Sequence, residues 1–193
     1  MATLIKEIQS YIKKQLKADR YRHSMGVMET AVKLAQRYNA DVEKAALAGI
    51  LHDCGKNYSE SNPILILESS GYQVNEIERF DPELLHGHIG AMIAAEKFNI
   101  HDDEILSAIA CHTTGKKNMS KLDQIIYIAD YIEPSRKNDW VYPLRASAYA
   151  NLEDCIVMCA DCTMTFIMKK GKPIHPNTMD MRNEMIMKRK TCL

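Results

Sequence analysis

The sequence has no dominant charge. Its 193 residues carry 25 Lys and Arg against 25 Asp and Glu, so no broad electrostatic field announces a nucleic acid or an anionic membrane as partner. Long apolar runs are missing too. Lys, Glu, Asp or His interrupts every stretch before it reaches the roughly 20 residues of a bilayer span. The opening segment MATLIKEIQSYIKKQLK mixes charge into apolar positions from the start, unlike a secretory signal, and the expected location is the cytoplasm. Internal repeats, low-complexity tracts and linker-like stretches are absent. That leaves one domain over residues 1–193, long enough to bury a real core. Strand-like alternation is scarce. The six cysteines of such a chain are expected as free thiols rather than as a disulfide framework.

What the sequence does have is helical periodicity. Leu4, Ile5, Ile8, Ile12 and Leu16 form a stripe on a first helix. A second helix is expected from about Arg20 to Tyr38, and a third from Asp41, a good N-cap, to near His52. Residues 54–62 read as a loop, followed by a short helix from Pro63 to Glu68 that Gly71 stops. Asp81-Pro82 starts the helix carrying LLHGHIGAMIAAEKF. Asp102 caps the next helix, to about His112, and Ser120 caps another that ends at Ile132 before Pro134. One helix is expected from Pro143 to about Lys169 and a last one from Thr178 to Lys190. The fold class is all-α, a helical bundle with short connections.

The segment GILHDCGK, residues 49–56, ends an apolar run in a histidine and an aspartate side by side. Adjacent residues of a regular helix point about 100° apart, but at a C-terminal turn both can lean into one pocket, and Gly55 permits that turn. Imidazole and carboxylate together suit a divalent transition metal. The dipeptide alone is weak, since an Asp53–Lys56 pair and a capping His52 would also account for it. Asp130 weighs more. It borders the apolar face of LDQIIYIADYIEP, with no basic residue at i±3 or i±4. A carboxylate there needs a cation or strong donors, from a metal or from Arg20 or Arg22 on another helix. His23 in RYRHSMGV, His86 in LLHGHIGA and His112 after ILSAIAC complete the order His, His-Asp, His, His, Asp between residues 23 and 130.

At these residues the chain resembles the HD-domain phosphohydrolases, whose signature is H…HD…H…H…D on an all-α bundle. HDCGK also fits their HD-x-x-K run. The segments YRHSMGV, AGILHDCGK, LLHGHIGA, CHTTG, ADYIEPSRK and PIHPNT, spread from about residue 20 to 178, resemble one branch of that family, the YqeK-like symmetrical bis(5'-nucleosyl)-tetraphosphatases. The resemblance implies a signature region over about 20–136, with the C-terminal helices and the 173–178 loop completing a nucleotide site. It implies hydrolysis of diadenosine tetraphosphate (Ap4A) into two ADP. It implies one divalent ion, with a second possible, held by His23, His52, Asp53 and Asp130, iron ahead of manganese, cobalt or nickel. His86, His112 and Lys56 would serve catalysis. Arg20, Lys56, Asn57, Tyr58, Ser59, His86, His112, Asp130 and Arg136 would contact the nucleotide, with Pro173, Ile174, His175, Pro176, Asn177 and Thr178.

The residue types agree with that chemistry. Two His and two Asp leave coordination positions open, as closed structural zinc sites do not. A metal would make a nucleophile of water at neutral pH. Arg20, Arg136 and Lys56 offer the cations that phosphoryl transfer requires, and one of the outer histidines is expected to protonate the leaving phosphate. Other features carry less. Cys155, Cys159 and Cys162 fall at i, i+4, i+7, one helix face, and read as packed thiols rather than cluster ligands. MDMRNEMIMKRK reads as an amphipathic closing helix. His88 and His101 read as surface or packing residues. Competing readings are an HD phosphohydrolase of a nucleoside mono- or triphosphate and a non-catalytic nucleotide-binding protein. The oligomeric state is monomer or homodimer.

Overall fold

A computed structural model describes residues 2–57 and 62–191. Eleven α-helices follow one another, and no strand occurs among the described residues. They are α1 (Ala2–Gln15), α2 (Ala18–Arg37), α3 (Val42–Leu51), α4 (Pro63–Ser69), α5 (Glu76–Phe80), α6 (His86–Phe98), α7 (Asp103–Cys111), α8 (Lys121–Ile132), α9 (Val141–Ala150), α10 (Leu152–Lys169) and α11 (Pro176–Thr191). A short 3-10 turn, Pro82–Leu85, leads into α6.

The caps explain most of the starts. Asp41, Asp102 and Ser120 each accept backbone N–H groups of the first turn of α3, α7 and α8, satisfying donors that a helix start leaves orphaned. Between the caps, apolar faces meet in one core. α8 lies at its centre, packed on α2, α3, α7, α9 and α10, and Ile125, Ile126, Ile128 and Ala129 are fully buried. Burying each isoleucine contributes about 1.5–3 kcal/mol. α3 is buried along the whole of Ala45–Leu51. This anchors the His-Asp pair that follows it.

Three expectations change. The helix from Pro143 to Lys169 is two, because Asn151 takes an extended conformation (φ −155°, ψ 122°) and its side chain accepts from the Asp154 N–H. With Glu153 and Asp154 in the first turn, a new helix start there is favoured over continuation. Before Asp81, α5 forms behind a capping box between Asn75 and Glu78, and the segment after Pro82 begins as a 3-10 turn. The last helix starts at Pro176, two residues earlier than expected, with proline in the first turn where its missing N–H costs nothing.

Gly71 stops α4 with φ +89°. Cys155 and Cys159 are fully buried free thiols, Cys162 is half-buried, and Met181 and Met185 close α11 into the core. No helix among the described residues is long and apolar enough to cross a membrane.

Candidate active site

Four imidazoles converge on one point, and three of them are aimed by the same local device. His52 is the C-cap of α3, His112 the C-cap of α7, and His86 follows the 3-10 turn. At such ends the last carbonyls have no helical partner. Each histidine folds back and donates its Nδ1–H to the carbonyl three residues earlier: His52 to Gly49 at 2.7 Å, His112 to Ile109 at 2.8 Å, His86 to Glu83. A carbonyl only accepts, so Nε2 is left as a lone pair on all three. His23, within α2, donates its Nδ1–H to the Glu133 carboxylate at 3.1 Å.

The Nε2 atoms therefore face one another. His23 and His52 stand 3.2 Å apart and His86 and His112 3.0 Å apart. Asp130 Oδ1 lies 3.0 Å from His23 Nε2. Asp53 Oδ1 lies 3.2 Å from His86 Nε2 and 3.6 Å from His112 Nε2. Two ligand groups emerge, His23–His52–Asp130 and His52–Asp53–His112, with donor atoms within 4.8 Å of one another in each. Lone pairs and carboxylate oxygens packed this closely need a proton or a metal cation among them. An N/O donor set without thiolate suits iron, manganese, cobalt or nickel.

The Asp53 turn is held from both sides. Cys54 N–H donates to Leu51 and Lys56 N–H to Asp53. A Cβ on Gly55 would collide with the His86 carbonyl, so this turn and the start of α6 approach as closely as backbones allow. Gly87 works the same way against α7, where a Cβ would sit 2.6 Å from the Ala110 oxygen.

Electrostatics follow from this crowding. Burial would raise the Asp53 carboxyl, but the imidazoles of His52, His112 and His86 around it hold it well below the usual carboxylate range. For Asp130, burial is likewise outweighed, by His23, His52 and Arg136, and its carboxyl sits far below normal. Burial pulls His52 down to about 4 and lowers His86. His23 goes the other way: burial opposes its charged form, but Asp130 and Glu133 outweigh it and raise its pKa.

Above this cluster lies an open cleft lined by Arg20, Lys56, Arg136 and Lys137, with Thr113, Ser135 and Asn138. A second depression, sharing Arg20, Lys56 and His86, continues to Asn57, Pro63 and Ile89. Arg20 Nη1 is 2.9 Å from Asp53 Oδ2, Lys56 Nζ 4.0 Å from Asp53 Oδ1, and Arg136 Nη2 2.7 Å from Asp130 Oδ1. Four cations thus line this mouth together with the exposed Asp19, while Asp53 and Asp130 point inward.

Residue 130 and the five signature positions before it are brought together. Arg22 is not: it pairs with Asp19 on the surface. Tyr58 and Ser59 lie outside the described residues. The 173–178 loop supplies no lining residue of either depression. His175 is buried against Asn75 (3.1 Å) and Glu78 (3.6 Å), and Thr178 Oγ1 donates to the Thr114 carbonyl. Sequence reasoning missed Glu133 and Thr113. Thr113 Oγ1 is 3.1 Å from both His86 and His112 Nε2. The available signal for Glu133 was its place one turn after Asp130, on the same helix face.

A model of the family described as HD domain matches residues 20–135. The chain belongs to the HD domain family. Among HD relatives it is 40% identical, over 93% of this chain and 95% of the other, to a symmetrical bis(5'-nucleosyl)-tetraphosphatase of Halalkalibacterium halodurans. It is 36% identical, over 93% and 96%, to the protein of that name from Bacillus subtilis. A crystal structure of a predicted HD superfamily hydrolase involved in NAD metabolism from Clostridium acetobutylicum superposes with TM-score 0.92 at 43% identity, covering 95% of this chain and 97% of that one.

Proposed function

We propose that this chain is a metal-dependent hydrolase that cleaves diadenosine tetraphosphate symmetrically into two ADP. The single observation that carries the reading is the aim of four imidazole lone pairs and two carboxylates into one space under a cationic cleft. The names of the relatives supply the substrate.

His23, His52, Asp53 and Asp130 would hold the ion, and iron is the metal that fits the family. One ion is favoured, because the Arg20 guanidinium already neutralises Asp53 Oδ2. Bound there, the ion would lower the pKa of a water ligand toward neutrality and polarise a phosphate oxygen. The rest falls to the chain. Arg20 and Arg136 offer planar, bidentate donors to phosphate, and Lys56 a point charge. Their charges oppose the negative charge that builds on the phosphoryl oxygens and the leaving ADP. His86 and His112, Nε2 to Nε2, would take up a proton between their lone pairs and pass it to that leaving group. Water forms the new P–O bond, the central bridging P–O bond breaks, and each half departs as ADP. Residues 173–178 support the site indirectly, by fixing the Thr113–Thr114 backbone. The same reading carries a cytoplasmic location and a monomer or homodimer.

Anaerobic incubation with Ap4A, ATP or AMP, with added Fe(II) or Mn(II) and a chelator control, tests the proposal. Metal-dependent release of ADP from Ap4A alone supports it. Turnover of ATP or AMP in preference points to another nucleotide, and bound metal without turnover points to a sensor.

A further inference from the structure

His23 differs from the other three imidazoles in how it is aimed. His52, His86 and His112 use carbonyls released at helix ends. His23 sits inside α2, where the preceding carbonyls belong to the helix ladder. Its Nδ1–H needs an acceptor from elsewhere in the fold, and Glu133 provides it at 3.1 Å.

Glu133 is built for this place. Its side chain is 1% exposed. Its carboxylate accepts the Ser135 N–H at 2.7 Å and the Ser135 hydroxyl, which fixes its orientation. The helix opposite makes room for it. A Cβ on Gly26, one turn after His23, would lie 2.5 Å from Glu133 Oε2. Glycine inside a helix costs about 0.5–1 kcal/mol relative to alanine, and the carboxylate occupies the space so released. Arg145 on α9 then ties down the segment by donating to the carbonyls of Ile132, Glu133 and Arg136.

We infer that Glu133, seated against Gly26, is a positioning residue that fixes the Nδ1–H tautomer of His23 and so holds its Nε2 on the metal. This rests on the metal-site reading above, not on the nucleotide. Outer partners of metal-bound histidines typically contribute about 10–100-fold in affinity. Without Glu133, His23 loses the carboxylate that accepts its Nδ1–H, and its ring is free to present the protonated nitrogen to the site.

The test uses Co(II) alone, titrated into the metal-free protein and followed by its visible absorption, alongside nitrogen NMR of the histidine rings. The wild-type titration reports on the metal site itself: no stoichiometric binding there overturns the metal reading. In Glu133→Ala, affinity should fall about 10–100-fold and His23 should leave the Nδ1–H form. Glu133→Gln, whose amide oxygen still accepts, should recover part of the loss. Gly26→Ala, which crowds the carboxylate, should weaken binding in the same direction. Wild-type affinity with an unchanged tautomer in Glu133→Ala overturns the inference. If that variant does not fold, the wild-type spectrum decides: an unprotonated Nδ1 on His23 in the metal-free protein overturns it equally.

Discussion

The Nε2 atoms of His23 and His52 face each other at 3.2 Å, each on a ring whose other nitrogen is already spent as a donor. Two lone pairs at that distance repel unless something positive lies with them. In the metal-free protein a proton serves, and the raised pKa of His23 beside the lowered one of His52 fits one proton held on the His23 side. A metal held by the same two Nε2 atoms would take the proton's place.

Metal-free stability should depend on pH in two opposite ways. Burial brings His52 down to about 4, whereas the unfolded chain protonates it near the ordinary value of about 6.5. The unfolded state binds more protons in that window, so stability drops as pH falls through it, by up to about 1.4 kcal/mol per pH unit. His23 is raised, so its contribution is complete below the ordinary histidine value and is lost as pH rises through its folded pKa. Urea denaturation of the metal-free protein at pH 5, 6.5 and 8 should give the highest midpoint at the middle value.

Replacing a ligand should cost more than replacing an outer partner. His52→Ala and Asp130→Asn are each expected to lower metal content below stoichiometric and to reduce turnover by more than the about 10–100-fold typical of outer-shell changes. Elemental analysis together with activity per bound metal separates loss of ion from loss of chemistry.

Arg136 should not tolerate lysine. It donates from Nη2 to Asp130 Oδ1 and from Nε to the Asp130 carbonyl, at 2.7 and 3.1 Å, while the residue lines the cleft. A point charge cannot do both. A charged hydrogen bond contributes about 1.5–3 kcal/mol, so Arg136→Lys should lower kcat/KM by about 10–100-fold while metal content stays near wild type.

Asn151 should behave as a true cap. Its side chain accepts from Asp154 N–H at the start of α10, and Asn151→Ala should destabilise the protein by about 0.5–2 kcal/mol. A smaller change in the denaturation midpoint would mean that packing of α10 on α8 alone sets the break.

That break shows what could be read in the sequence and what could not. Apolar spacing runs on through residues 143–169, so periodicity alone joins α9 to α10. Only the local competition at Asn151 separates them. The starts at Asp41, Asp102 and Ser120 were readable because their caps act on the next three residues. The cluster was readable in its residue types, since His23, His52, Asp53, His86, His112 and Asp130 need a reason to sit among apolar helices. Its supports were not. Glu133 meets His23 across 110 positions of sequence, and the seat for its carboxylate is an absent side chain at Gly26. In the 173–178 loop, His175 meets Asn75 and Glu78 across about a hundred positions of sequence. No spacing rule reveals such a pairing.

The central claim is symmetric hydrolysis at this cluster, and mass spectrometry of the products of Ap4A formed in 18O-labelled water by the Fe(II)-loaded protein tests it most directly. The expected result is ADP as sole nucleotide product, half of it carrying one 18O. ATP with AMP, or ADP without label, would contradict the account.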